Sequence, residues 1–223
     1  MKKVLTYIRS RNLVPILVIY YAVGIVGMIL PVSRSLFQSL TPLSLLMSIA
    51  LLFIYHEPHN RKFWVLSAII LAAGFGLEVL GVTTGLLFGA YTYGETLGLK
   101  LFHTPLMIGV NWLLLVYCSL SIVGKFIDSN YFKAIVAAAL MVVYDFALEP
   151  AAIYTGMWGW EGGAVPMQNY IAWFLIGFVL NYVAARFKLV ARENKIAQPL
   201  FFIQFGFFIA LDIWIFAEKI WDF

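Results

Sequence analysis

Apolar residues run along this chain in long blocks rather than in the short alternating runs of a half-buried strand, and each block approaches the ~20 residues a helix needs to cross a bilayer. Apolar windows predict seven spans, at about residues 13–31, 43–55, 63–88, 104–124, 131–152, 169–187 and 199–220. The second is short in its uninterrupted part and reaches full length only if residues 36–41 join it, or if tilt and local thinning accommodate it. A basic stretch followed by an apolar run also opens a signal peptide. No small-residue cleavage site follows near Pro31 and Val32, so the first block is expected to be a retained helix. The expected architecture is all-α, a polytopic seven-helix bundle forming one integral membrane domain over residues 1–223.

The basic residues test this count. With seven spans, Lys2, Lys3, Arg9, Arg11, Arg61, Lys62, Lys125, Lys133, Arg186, Lys188, Arg192 and Lys195, twelve in all, fall on one side, and Arg34, Lys100 and Lys219 on the other. Short cytoplasmic loops retain Lys and Arg, which predicts an N-inside, C-outside orientation. Composition agrees with a membrane protein: of 223 residues 63% are apolar, 17% aromatic and 12% charged, against roughly 25% charged in soluble domains. The net charge of +4 therefore reflects topology, and nucleic acid is not an expected partner. A single cysteine, Cys118, excludes an intrachain disulfide and any zinc or iron–sulfur site built from this chain's thiolates alone. There is no internal repeat. The longest loops, 90–103 and 153–168, lie on the outer side and are rich in Gly and aromatics; Tyr91, Tyr93, Trp158 and Trp160 suit a membrane interface.

Ionisable groups at membrane depth are costly and default to functional candidates facing the bundle interior. Glu78, Asp145 and Asp212 are the deep ones, with Glu149 nearer the outer end. At 1.5 Å per residue Glu78 lies roughly 15 Å below the outer end of its helix, Asp145 and Asp212 roughly 10–12 Å and Glu149 about 5 Å, so they can share one layer. Asp145 and Glu149, four apart, share a helix face, and Asn111 falls about 10 Å below the start of its helix. Every Lys and Arg lies in a loop or near a helix end, so at least one deep carboxyl is expected to hold its proton, a general acid in waiting. The alternative role is a helix-to-helix hydrogen bond without chemistry, and Asp212, with no motif around it, suits that role best.

Gly81, Gly85 and Gly89 recur every fourth residue, which permits close helix packing or leaves room for a flat ligand. Thr104 and Pro105 read as an N-cap and first helical residue, with His103 interfacial. His56 and His59, beside Arg61 and Lys62, read as solvated. The outer half offers no His pair at metal spacing and no Gly-rich nucleotide loop follows a strand, so neither metal nor cofactor is expected.

The ordered set Glu78-x-x-Gly81-x-x-Thr84-Gly85-x-x-Phe88-Gly89-x-Tyr91-x-Tyr93, then Pro105, Asn111 and Trp112, then Asp145-x-x-x-Glu149-Pro150, then Trp158-x-Trp160, and Val165-Pro166-x-x-Asn169-Tyr170-x-x-Trp173 resembles the membrane-bound carotenoid hydratases, the gamma-carotene 1'-hydroxylase and bisanhydrobacterioruberin hydratase group. The resemblance covers residues 78–173. It implies a carotenoid biosynthesis enzyme that adds water across the terminal C1–C2 double bond of an acyclic end group, leaving a tertiary alcohol. The substrate would be a long-chain acyclic or monocyclic carotenoid entering from lipid, the other reactant water, and the setting a bacterial or archaeal cytoplasmic membrane. That chemistry needs a proton donor, stabilisation of a tertiary carbocation, and a held water. Asp145 or Glu78 is the expected acid, with the other or Glu149 positioning water and Asn111 orienting it. Phe88, Tyr91, Trp112, Trp158 and Trp160 offer ring faces to a cation. Tyr93, Asn169 and Trp173 complete the expected substrate site. Rival readings are a membrane lycopene-cyclase-like enzyme, which quenches the cation internally, a small proton-coupled transporter, and a retinal-binding receptor, which the absence of a lysine before Lys219 in the last span disfavours.

Overall fold

The computed structural model describes residue 9, residues 11–190 and residues 194–221, the side chains of 219 and 221 excepted. Lys2, Lys3, Arg192 and the Lys219 side chain therefore lie outside the described residues. Among the described residues eight helices of nine residues or more follow in order: α1 (Val14–Ile29), α2 (Pro31–Ser39), α3 (Thr41–Ile54), α4 (Arg61–Thr84), α5 (Leu106–Val123), α6 (Asn130–Tyr154), α7 (Met167–Arg186) and α8 (Ala197–Trp221). Among the described residues α4 to α8 are long and apolar enough to cross a membrane, and α2 with α3, bent by 52°, makes a sixth if the pair is one span. The 16 residues of α1 reach only about 24 Å. The chain is thus an all-α polytopic membrane protein, with five or six spans by length and composition in place of the seven expected.

Helix α5 forms the axis. It contains no charged residue, and 72% of it is buried, against 28–44% for α4, α6, α7 and α8. A helix apolar all round belongs inside, and α5 packs against α3, α4, α6, α7 and α8. Its neighbours turn residues such as Trp64, Phe146, Ile171 and Phe216 outward, as suits a surface that meets lipid in place of water.

The helix boundaries have local causes. Leu30 is extended because it precedes Pro31, which closes the α region to it and separates α1 from α2. Residues 36–41 do not simply lengthen the second span: the chain bends at Leu40, and α3 restarts with Pro42 in its first turn. Gly85, at φ +67°, ends α4 through its N–H to Gly81 O at 2.8 Å, so α4 stops short of Phe88. Gly85 and Gly89 consequently lie off the helix and form no stripe on it. Gly81 instead admits the Phe88 ring as it folds back, since a Cβ there would stand 2.4 Å from that ring. Pro105, not Thr104, is the residue before α5. Thr104 sits in a short ribbon, β3 (Thr104–Pro105) against β2 (Lys100–Leu101).

At one end of the bundle Arg34 lies 3.9 Å from Glu218 and over the rings of Tyr154 and Trp214, tying α2 to α6 and α8. Lys100 pairs with Glu95 at that same end, where Thr96 bonds to the Thr155 carbonyl that also receives Gln38. Arg9, Arg11 and Lys125 gather at the other end, through bonds to His56 O, from Tyr55 and to Gln198. His56 corrects the expectation of a solvated pair. His59 is exposed, but His56 is buried, stacked 3.8 Å from Phe63, with its Nδ1 2.7 Å from the Tyr117 hydroxyl, which accepts from Asn194 Nδ2.

Burial, then the neighbouring His59, draws His56 from its ordinary 6.5 down to about 4. A histidine that must stay neutral when folded stabilises fully above pH 6.5 and loses that contribution as pH falls toward 4. The melting temperature in detergent should therefore drop across this window, and His56→Gln should flatten the drop; equal profiles would contradict the buried neutral ring. Gly81→Leu should cost ~1–3 kcal/mol by displacing Phe88, read as a melting temperature lower by several degrees.

Candidate active site

Four helices and one ribbon bring three carboxylates together. With α4 ending at Thr84, Glu78 sits roughly 9 Å below that end rather than 15 Å, and Asp145 roughly 13 Å below the end of α6. Glu149 stands one turn above Asp145 on the same buried face. Glu78, Asp145 and Glu149 are 3%, 1% and 3% exposed. All three line one cavity of about 20 Å³ with Phe88, Tyr91, Tyr93, Ile108, Asn111, Trp158, Trp160, Asn169 and Trp173. That is room for about one water. Trp112 stands behind Glu78 and stacks 4.3 Å from Trp173.

A lid covers this cavity. Strand β1 (Tyr91–Tyr93) pairs antiparallel with β4 (Trp158–Trp160), placing Tyr91 opposite Trp160 and Tyr93 opposite Trp158. Side chains alternate across a strand, so Thr92 and Gly159 face outward and the four aromatics face the carboxylates. Gly94 allows the two loops to touch: its N–H reaches Met157 O at 2.9 Å, where a Cβ would strike the Gly156 carbonyl. The sequence suggested interfacial rings. The structure instead turns their polar heads inward.

The three carboxyls are unequally supplied with donors. Glu78 Oε2 accepts from the Tyr91 hydroxyl at 2.6 Å and the Tyr93 hydroxyl at 2.8 Å, and its Oε1 from Trp112 Nε1 at 2.9 Å. Glu149 Oε2 accepts from Trp158 Nε1 at 3.0 Å and Trp160 Nε1 at 2.9 Å. Asn169 Nδ2 bridges Asp145 Oδ2 at 2.8 Å and Glu149 Oε1 at 3.5 Å. Asp145 Oδ1 is buried without a hydrogen-bonding partner. Among the described residues the ion pairs, Arg9–Glu57, Arg34–Glu218 and Lys100–Glu95, all lie away from these three. Burial and the Glu78 charge push the Tyr91 and Tyr93 hydroxyls far above their usual range, so both remain donors.

The structure thus collects Glu78, Phe88, Tyr91, Tyr93, Asn111, Asp145, Glu149, Trp158, Trp160, Asn169 and Trp173 around one space, with Trp112 behind them. Asp212, on α8, lines no part of it. Sequence reasoning missed the ribbon and Ile108. The ribbon had a signal, the two-residue alternation of Tyr91-Thr92-Tyr93 and Trp158-Gly159-Trp160; an isoleucine in an apolar helix has none.

A model of the family described as "carotenoid biosynthesis protein" matches residues 40–221, which takes in the whole carboxylate cavity and its lid. The chain belongs to that family. Among curated proteins, bisanhydrobacterioruberin hydratase of Haloarcula japonica is 31% identical over 118 residues, 47% of this chain. The alignment spans 39% of that relative's length. No solved structure gives a significant match.

In this family member, Tyr91→Phe or Tyr93→Phe keeps the ring and removes one donor to Glu78. A hydrogen bond to a charged group is worth ~1.5–3 kcal/mol, so each variant should melt several degrees lower in detergent, and the double variant lower still. Unchanged melting in the double variant would show that the lid does not hold the carboxylate.

Proposed function

We propose that this carotenoid biosynthesis protein hydrates the terminal C1–C2 double bond of an acyclic carotenoid end group. The observation that carries the reading is the unequal hydrogen bonding of three buried carboxyls around a space for one water. Glu78, with three donors and no cation, is the best-solvated anion and stabilises a developing positive charge by its field. Asp145 has one donor and a bare Oδ1, so it holds the proton and points it into the cavity. Glu149 has both indoles on Oε2, and Oε1, met only by the long 3.5 Å contact from Asn169, keeps a lone pair to hold water.

Asp145 then delivers its proton to C2, and the π electrons leave a tertiary cation at C1. Water attacks C1 while Glu149 takes the water's proton. The product is the tertiary alcohol, and transfer of a proton from Glu149 back to Asp145, one turn away and joined through Asn169, restores the start. No net oxidation or reduction occurs. Rings of Trp158, Trp160, Tyr91 and Phe88, which line the cavity, add up to ~2 kcal/mol each when a desolvated cation lies over their faces. The named hydratase relative supports the reaction class.

The substrate dissolves in the bilayer, and the five to six apolar helices fit an integral membrane enzyme. We infer an N-inside, C-outside orientation in a bacterial or archaeal cytoplasmic membrane, with the lid outward, from the loop charges. Cys118 is buried, where a thiol is shielded from aqueous reagents, so single introduced cysteines report sidedness. Gly163→Cys should label with an impermeant reagent on intact cells and Lys125→Cys only after lysis; the reverse pattern overturns the orientation.

Expression in cells that accumulate acyclic carotenoids should yield pigment heavier by one water, with oxygen from labelled water at C1 and deuterium from heavy water at C2. Asp145→Asn should lower turnover at least ~100-fold, the usual scale of general acid catalysis. Product of unchanged mass would favour cyclisation, and full activity of Asp145→Asn would remove the proposed acid.

A further inference from the structure

A second cavity, of about 150 Å³, lies where α1, α3 and α8 meet, and it shares Ile108, Asn111 and Trp158 with the carboxylate cavity. Its other walls are mainly apolar, among them Met28, Leu45, Leu97, Met157 and Phe207. Tyr144 and Leu148, each next in sequence to one of the carboxyls of α6, form part of it. Its rim includes Tyr20 and Val23 of α1 and Leu40 before α3, which are 36%, 53% and 36% exposed on the bundle's outer surface.

Apart from Asn111, at the wall shared with the carboxylate cavity, the polar side chains on its walls bond to other groups of the protein. The Tyr20 hydroxyl meets Ser44 Oγ at 2.7 Å, the Tyr21 hydroxyl meets Ser48 Oγ at 2.9 Å, and Gln204 Nε2 donates to the Tyr21 hydroxyl at 2.7 Å. Away from the Asn111 wall, a guest in this space therefore needs to bring no hydrogen-bonding group. An apolar cavity of roughly this size stays dry and holds a benzene-sized hydrocarbon, which is about one five-carbon isoprene unit.

We propose that this cavity is the end-group subsite. The terminal isoprene unit of an acyclic polyene enters sideways from lipid between α1 and α3, and its double bond stops at the Asn111–Trp158 wall, facing Asp145. The rest of the polyene leaves through the rim into the bilayer. This assignment rests on the hydration reading for its orientation, and it adds a selection rule. A methylated six-membered ring is too large for the space, so a monocyclic carotenoid binds by its open end and a bicyclic one is refused.

Binding can be measured without turnover. Asp145→Asn protein in nanodiscs is titrated with an acyclic and with a bicyclic carotenoid, and the shift and induced circular dichroism of the visible band are followed. The acyclic pigment should bind at least tenfold more tightly than the bicyclic one. Adding Gly24→Leu, whose new side chain grows into the cavity beside Phe207, should weaken the acyclic pigment at least tenfold. Val23→Trp, at the exposed rim, should do the same and carries the test if Gly24→Leu fails to fold. Parental affinity in a folded plugged variant, equal affinity for the two pigments, or no binding to the parent would each overturn the proposal. Failure of the hydration reading registers separately, as wild-type product that gains no water.

Discussion

A carboxylate in the hydrocarbon layer has no water to solvate it, and leaving it charged and unpartnered costs more than a bundle's packing supplies. Membrane proteins commonly answer with a basic residue. Among the described residues the cations lie toward the ends of the bundle, and the answer is neutral donors: three indole N–H groups, two phenols and one amide bring six hydrogen bonds to Glu78, Asp145 and Glu149, with a weaker contact from Asn169 as the seventh. Neutral donors solvate an anion without cancelling its charge. An uncancelled negative field beside a protonated carboxyl is what protonation of an alkene requires, and the proposed chemistry depends on it.

The lid follows from that need. Helices alone present side chains radially, and few reach a carboxylate from above; a two-stranded ribbon presents alternate residues on one face at close spacing. Two three-residue strands from loops more than sixty residues apart therefore supply four donors in a single layer. Closing it takes the tight contact of Gly94 with the Gly156 carbonyl and the return of Phe88 over Gly81. The same layer shields the site from the aqueous side. Reactants are then expected from different directions, water past the lid and hydrocarbon between α1 and α3.

Much of this was legible in the sequence, and the limits are physical. Long apolar blocks marked the helices, because a span must satisfy its own backbone. The i, i+4 spacing of Asp145 and Glu149 placed both on one face, and the cost of burying charge marked them with Glu78 as candidates. Boundaries at Leu30, Leu40 and Gly85 were misplaced because Pro and Gly stop a helix inside an apolar run that hydropathy treats as continuous. His56 was misread because a histidine beside basic residues looks solvated, and only the fold shows Phe63 and Tyr117 enclosing it. Tyr91, Tyr93, Trp158 and Trp160 were noticed for their rings, while their hydrogen-bonding direction depends on strand pairing between distant loops. The apolar cavity between α1, α3 and α8 left no trace at all, since its walls are ordinary span residues.

The proposed mechanism comes down to one requirement, that Asp145 carry a proton at neutral pH beside Glu78 and Glu149. Infrared spectroscopy of the protein in lipid reads this without substrate. At pH 7 a carboxylic acid C=O stretch should be present, shift down in heavy water, and disappear in Asp145→Asn while remaining in Glu78→Gln. A spectrum with no such band, or a band that survives Asp145→Asn unchanged, would contradict the account.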